Sequence, residues 1–574
     1  MWIAFTLKRG EAADAARVVR GATWNLVIER DDHNGPFYPH VLEADGADRF
    51  RFVAGRIVGH AHNTLPDVPP FAGAREPDGG FIALEFDKAS GTLKIASDVF
   101  NAQRWFYRQT EDGWLIANSL RWLYRVSAVK PALELRAVPY LLRMGYIPEP
   151  YTPLTGVLSL ATGQQLEIEH GTATVRQRAA IPVERRATTI SADAPHQIAE
   201  LLRDEVKRQI GGLEQVWIPL SGGIDSRFLL ACALTAVPAE AIHTMTFGSS
   251  HSLDVRIGSA LARQCGVKNV TLPLDERSIA PILDDNFAVA EGVYWTVPDY
   301  PVRAFGEALP DNTIALSGFV GDPVFGSKEG KLSILEAAAG RENELAKTFW
   351  KGGTYVSEEI VNALCDSNEH DPLKVKDIFR AIPGRTMMER YDYWYFGQHS
   401  VNRTMFAVTP ARAKAFYAMP FIANPVLDLA FALPTELRRG QHAYFAALET
   451  GFPEFYNFPT TRNHGFPLHV RRSPALALTR VRRGLLRALD EKLGNRFGWH
   501  LFHSPRANYA HPRELLRRKH RADVLSALDA LRAMPVLNRA QLEKIGRHVT
   551  RGYGVDPLLL RGLLTLAQWL KEYR

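Results

Sequence analysis

The stretch Val216-Trp217-Ile218-Pro219-Leu220-Ser221-Gly222-Gly223-Ile224-Asp225-Ser226 decides how the rest of the chain is read. Val216 to Leu220 is a short apolar run, which reads as a buried strand. Arg227 to Leu234, which follows the serine, is too long and too rich in Leu and Ala for another strand, so a buried helix is expected. A strand that turns through two glycines into a helix makes an anion site. The glycines let backbone approach a phosphate, and the helix start offers unpaired N–H groups and partial positive charge. Ser221 and Ser226 add hydroxyl donors, and Asp225 is a hard oxygen ligand suited to Mg²⁺ beside phosphates. The loop lacks the Gly-Lys-Ser/Thr of a Walker loop and is a different cradle. The plainer alternative is a polar-capped turn, but serines, glycines and aspartate together at a strand–helix junction favour the anion site.

Outward from this loop the pattern alternates. Towards the C-terminus come a strand at Ala241–Phe247 ending in Gly248-Ser249-Ser250, a helix at Asp254–Gln264 and a strand at Asn269–Leu272. Strands alternating with helices of this length form βαβ units and a parallel sheet, whose ligands bind at the carboxyl ends of the strands. A fourth strand, Thr313–Leu316, runs into Ser317-Gly318-Phe319-Val320-Gly321-Asp322-Pro323. Glycines and a carboxylate again follow a strand end, so Asp322 is expected to face Asp225 across one shared metal. On the N-terminal side, Ile198, Leu201, Leu202, Val206 and Ile210 mark an amphipathic helix over Ala194–Ile210.

Residues 1 to about 190 read as β-rich. Alternating runs at Arg49–Val53, Gly80–Phe86, Thr92–Ala96, Gly113–Ala117, Gln165–Ile168 and Thr172–Val175 are separated by turn residues. A helical stretch from Leu133 to Gly145 and the proline-rich Tyr146–Pro153 also lie in this part. Two domains are expected, 1–190 and 191–574. Beyond residue 330 the reading is mainly helical. Glu389, Tyr391 and Asp392 lie in a helical stretch from Arg385 to Arg403, and Pro459–Pro467 is a polar, glycine-bearing loop. The arginine-rich tail from Arg471 reads as helices with solvated faces. His60 and His62 read as structural or exposed rather than as ligands.

Composition narrows the classes. The chain has 574 residues, 46% apolar and 23% charged, with a net charge of +7. No apolar run reaches the roughly 18 residues of a membrane span. Residues Met1–Arg9 place apolar residues before charges, the wrong order for a signal peptide and the right one for a first strand. The three cysteines, Cys232, Cys265 and Cys365, are too scattered for a disulfide framework or a zinc site. A cytoplasmic location is expected, without membrane attachment. Without a basic helix interleaved with aromatics, nucleic acid is not the expected partner.

Ser221–Ser226 resembles the pyrophosphate-binding loop of the ATP pyrophosphatase superfamily, and Gly318–Asp322 resembles the magnesium loop of the asparagine synthetase family. Tyr146–Gly163 is similar to that family's domain join, and Pro420–Asp428 with Leu433-Pro434 to its C-terminal signature. The resemblance implies an α/β and α+β two-domain fold. Its N-terminal part would be an Ntn-hydrolase-like β-rich sandwich of the glutaminase type. Its C-terminal part would be a parallel-sheet, adenine nucleotide α-hydrolase-like synthetase domain with a helical extension. The implied cofactors are ATP and Mg²⁺. The implied ATP-binding residues are Leu220, Ser221, Gly222, Gly223, Asp225, Ser226, Phe247, Gly248 and Gly318. The implied metal ligands are Asp225 and Asp322, with Asp322 and Arg462 serving catalysis. The implied activity is adenylation of a carboxylate, with pyrophosphate released, followed by attack of an amine to give an amide.

Three departures redirect that activity. The family's glutaminase nucleophile is a cysteine at position 2, where this sequence has Trp2, with no cysteine before Cys232. The magnesium loop carries Phe319 where relatives carry Glu or Tyr, and Phe accepts no proton. Glu389, Tyr391 and Asp392 are the other candidates for the base. The pyrophosphate-side lysine of relatives is replaced around Thr461-Arg462-Asn463-His464, where Arg462 offers the charge. These losses direct the reading away from ammonia, towards relatives that resemble β-lactam synthetases and lasso peptide cyclases. The expected reaction is macrolactam closure of a precursor peptide, with a processing protease as a further partner. The alternatives are an amide ligase for a sugar acid or small metabolite, and an inactive scaffolding homologue.

Overall fold

A computed structural model of the chain describes residues 2–9, 17–31, 38–58, 77–100, 104–184, 193–248, 252–272, 283–284, 287–288, 290–295, 308–311, 313–329, 342–365, 371–405, 415–470, 472–497, 520–552 and 555–573. His60 and His62 lie outside these residues.

Alternating apolar residues build two antiparallel six-stranded sheets in the N-terminal part. One has the order β10-β8-β9-β1-β3-β2, from β1 (Trp2–Arg9), β2 (Arg17–Arg20), β3 (Trp24–Asp31), β8 (Phe106–Thr110), β9 (Gly113–Ala117) and β10 (Leu158–Ser159). The other has the order β12-β11-β7-β6-β5-β4, from β4 (His40–Asp45), β5 (Arg49–Ile57), β6 (Gly79–Asp87), β7 (Leu93–Ser97), β11 (Gln164–Glu169) and β12 (Thr172–Gln177). Their inner faces meet, Phe5 and Leu26 from one against Phe52, Leu84 and Ile95 from the other, with the Phe5 and Phe52 rings edge to face at 5.5 Å. Period-2 alternation requires such a sandwich, since each strand has one apolar face to bury.

In the C-terminal part the order is β15-β14-β13-β16-β17, all parallel. The strands are β13 (Val216–Pro219), β14 (Ile242–Phe247), β15 (Lys268–Leu272), β16 (Thr313–Leu316) and β17 (Ala415–Ala418). β13 is central, and Val216 and Ile218 are fully buried, as a parallel strand covered on both faces demands. Helices α3 (Ala194–Ile210) and α4 (Asp225–Ala236) share one apolar cluster with β13, and α5 (Leu253–Gln264) packs on β14 and β15. The first two helices, α1 (Leu120–Val126) and α2 (Val138–Met144), lie in the N-terminal part. The strand β17 was not anticipated: Ala415-Phe416-Tyr417-Ala418 is too short to stand out as a run, and pairing with β16 makes it a strand.

The later helices include α6 (Met387–Trp394), which continues as a π-helical segment over Tyr395–Met405, α7 (His442–Gly451) and α8 (Pro474–Phe497). They end with α9 (Arg521–Leu531), α10 (Arg539–Arg551) and α11 (Pro557–Glu572). The solvated face expected of the tail helices is missing from α11. In α11, Leu560, Leu566 and Trp569 are fully buried in the cluster that holds Leu141 of α2 and Leu120 of α1. Trp569 Nε1 donates to Gly292 O at 3.1 Å, which seats the helix in one register. Among the described residues, no helix is long and apolar enough to cross a membrane.

Candidate functional site

The carboxyl end of β13 leads into the Ser221–Ser226 loop at the centre of the sheet. Leu220 is buried, and its N–H donates to Met245 O at 2.7 Å, holding the strand end to β14. Beyond it the loop folds on its own hydroxyls. The N–H of Ser221 donates to Ser226 Oγ at 3.1 Å, and that of Gly223 to Ser221 Oγ at 3.1 Å. The two serine oxygens lie 3.2 Å apart. Gly222 N–H donates to Asp254 Oδ1 at 3.0 Å, while its carbonyl accepts from Thr461 N at 2.9 Å and Thr460 Oγ1 at 3.0 Å. A Cβ at Gly222 would sit 2.4 Å from Thr461 Cγ2, which is why no larger residue fits there.

Arg227, the first residue after the motif, is buried and reaches across to the Pro459 loop. Its guanidinium donates to the carbonyls of Phe455 at 2.8 Å, Phe458 at 2.9 Å and Pro459 at 2.6 Å. Burial lowers its pKa to about 10, still cationic at neutral pH. A lone arginine inside an apolar helix was the available signal for this staple, although its partners lie more than 200 residues on. Phe247 ends β14 in register with Leu272, and Gly248 N–H donates to Leu272 O at 3.1 Å, so both border the same sheet edge.

The second loop follows β16, which adjoins β13. Gly318 and Gly321 clear the space that Asp225 occupies: a Cβ at Gly321 would lie 2.7 Å from Asp225 Cγ. Asp322 N–H donates to Asp225 Oδ2 at 3.1 Å, so the two aspartates meet at the ends of neighbouring strands. Burial, and then the Asp322 carboxylate, push Asp225 well above the ordinary carboxylate range. Two residues absent from the sequence reading hold this pair. Tyr444 in α7 donates its hydroxyl to Asp225 Oδ1 at 2.9 Å, its ring stacked between Phe228 at 5.4 Å and Phe325 at 4.6 Å. Gln441, just before α7 and fully buried at φ 63°, donates Nε2 to Asp322 Oδ1 at 2.8 Å. One helix start thus orients both carboxylates, and no local motif announced it.

Arg462 lies on the Thr460–Phe466 turn with its guanidinium over the Phe445 ring at 4.7 Å and Nη1 3.9 Å from Asp322 Oδ1. Phe319 is half-buried against Trp217, Met245, Leu272 and Tyr417, an apolar lining. Of the alternative bases, Glu389 is committed elsewhere. It is the capping carboxylate of α6, accepting from Arg385 N at 2.7 Å and Thr386 N at 3.3 Å, while Glu389 N–H donates to Thr386 Oγ1 at 3.1 Å. Tyr391 is buried in the Phe349–Trp394 aromatic cluster. Asp392 is likewise buried, on α6.

The donor set fits a magnesium ion. Asp225 is partly buried beside the Asp322 carboxylate, and a cation there would favour its ionised form. Mg²⁺ takes one or two protein carboxylates and completes its shell with phosphate oxygens and water.

Residues 197–443 match the asparagine synthase family, a span that contains both loops and Gln441 and ends one residue before Tyr444. Comparison with curated proteins gave no match. Residues 197–443 are therefore an asparagine synthase domain, which implies an ATP-dependent carbon–nitrogen ligase.

Proposed function

We propose that the chain adenylates a carboxylate and passes the acyl group to an amine carried by the substrate itself, closing a macrolactam in a peptide as lasso peptide cyclases do. The observation that carries this reading is the meeting of Asp225 and Asp322 at adjoining strand ends, beside the start of α4. When bound there, Mg²⁺ supplies charge neutralisation for the polyphosphate and its leaving group. The substrate carboxylate oxygen attacks the α-phosphorus of ATP, the bond to the β-phosphate breaks and pyrophosphate departs. In this reading the N–H groups at the start of α4, the serine hydroxyls and Arg462 take up the charge that develops on it. The amine nitrogen then attacks the activated acyl carbon, loses a proton, and AMP leaves. Phe319, in its apolar setting, presents a wall to the acyl group and no proton acceptor.

Ammonia from glutamine is not part of this scheme. Position 2 is a tryptophan whose backbone pairs with Asp31 inside β1, and residues 1–231 contain no cysteine. The cysteines beyond are poor nucleophiles. Burial raises Cys265 to about 11 and Cys365 to about 12, and pushes Cys232 higher still.

Exchange of labelled pyrophosphate into ATP, with candidate carboxylates and precursor peptides, tests the first half-reaction, and mass spectrometry of a product lighter by one water tests the second. Asp225→Asn and Asp322→Asn should each lower exchange by roughly 10²–10³-fold with circular dichroism unchanged. A chain that binds ATP yet exchanges no pyrophosphate with any carboxylate would overturn the proposal.

A further inference from the structure

Helix α8 is turned the wrong way out for a helix that ends its contacts at this molecule. Its Leu478, Val481, Leu485 and Leu489 are 69%, 58%, 60% and 46% exposed. Their spacing of three, four and four residues places them in one stripe along a single face. The opposite face holds Leu476, which is buried, together with Arg480 and Arg483. Arg480 Nη2 donates to Asn463 Oδ1 at 3.3 Å, and Arg483 Nη1 lies 3.1 Å from His464 Nδ1. Asn463 and His464 directly follow Arg462, the cation beside Asp322. The helix therefore grips the Arg462 turn with its inner face and offers four large apolar side chains outward.

The charge of the helix selects what covers them. By helical spacing the charged positions beside the stripe are Arg482, Lys492 and Arg496, whereas Asp490 and Glu491 fall away from it. A second copy of α8 laid on the stripe would oppose like charge to like. Residues 498–519, which follow in the sequence, are also rich in Arg, Lys and His with one acidic residue, Glu514, and so carry the same sign as the helix. We propose that the Leu478–Leu489 stripe docks an acidic amphipathic helix of a second protein, and that docking braces α8 against the Arg462 turn. Under the adenylation reading above, the partner would thereby fix the cation at the leaving pyrophosphate, although the docking itself requires no catalysis.

The test uses the full chain and a fluorescein-labelled helical peptide of about 20 residues, with Leu at a and d positions and Glu on the flanks. Saturable binding is expected, weakened about tenfold or more by the double substitution Val481→Glu and Leu485→Glu. It should weaken similarly for the same peptide with Lys in place of Glu. Amides of Thr460–Phe466 should exchange hydrogen more slowly in the complex. The substituted positions point to solvent, so the variant should keep its melting temperature and basal pyrophosphate exchange. Equal affinity of the variant or preference for the Lys peptide would overturn the proposal. So would stripe-dependent dimerisation of the wild type, or binding to phosphatidylserine vesicles instead of the peptide. Each is read by binding, so loss of the adenylation reading would leave the result interpretable.

Discussion

Tyr444 shows how one side chain sets the geometry of the aspartate pair. Its ring is fixed by Phe228 and Phe325, and its hydroxyl leaves Asp225 a single orientation. Tyr444→Phe keeps the stack and deletes one hydrogen bond. It should weaken Mn²⁺ binding in the presence of ATP by roughly 10-fold, as loss of a partner behind a metal ligand does. Electron paramagnetic resonance of free Mn²⁺ reads this directly, and unchanged affinity would mean that the hydroxyl does not orient the carboxylate. Asp254 carries a second residue-level consequence. Burial pushes its carboxyl from 3.8 up to about 6, the Gly222 N–H pulling the other way. The folded state thus holds this proton more tightly than the unfolded chain. The stabilisation is full below about pH 4 and is lost as pH rises through about 6. Asp254→Asn removes that loss, so its melting temperature should gain on the wild type between about pH 4 and 6.5 and then run parallel. Thermal unfolding across this range checks the sign.

At the scale of elements, the site is the junction of two strand–loop–helix units that must approach closely. Gly321→Ala would place a methyl 2.7 Å from Asp225 Cγ and 2.9 Å from its Oδ1. The β16 loop would have to retreat, so exchange activity should fall by about 10²-fold, while overpacking at this rim should cost about 1–3 kcal/mol. Denaturant unfolding alongside exchange separates the two effects. Retained activity would show that the loop yields without moving Asp322. The β13 loop and α4 were legible because their meaning is local: strand, two glycines, helix, each dictated by neighbours in sequence. The loop after β16 was legible for the same reason. Gln441 and the Arg227 staple were not, because a buried glutamine or arginine acquires its role only from carbonyls and carboxylates brought to it by folding. Glu389 shows the converse. Its sequence position left it open as a base, but Thr386 three residues earlier makes it a helix cap.

For the molecule as a whole, the tail is the part whose reading changed most. The arginine-rich tail read as helices with solvated faces, yet in α11 Leu560, Leu566 and Trp569 fill a cluster built by α1 and α2 more than 400 residues earlier. Trp569→Ala should destabilise the protein by about 3–5 kcal/mol through the cavity it leaves. Calorimetry should show the loss as a lowered transition, and a change under about 1 kcal/mol would place α11 outside the cooperative core. The sequence by itself determined the parallel sheet, the β-rich first part, the glycine loop after β13 and the aspartate that follows each of two strands. These follow from apolar period, glycine freedom and carboxylate chemistry, all encoded within a dozen residues. Only the tertiary structure decided that Asp225 and Asp322 touch, that Tyr444 and Gln441 orient them, and that α8 turns an apolar face to solvent. Those facts depend on which distant surfaces meet, and burial is settled by the packing of the whole chain rather than by any stretch of it.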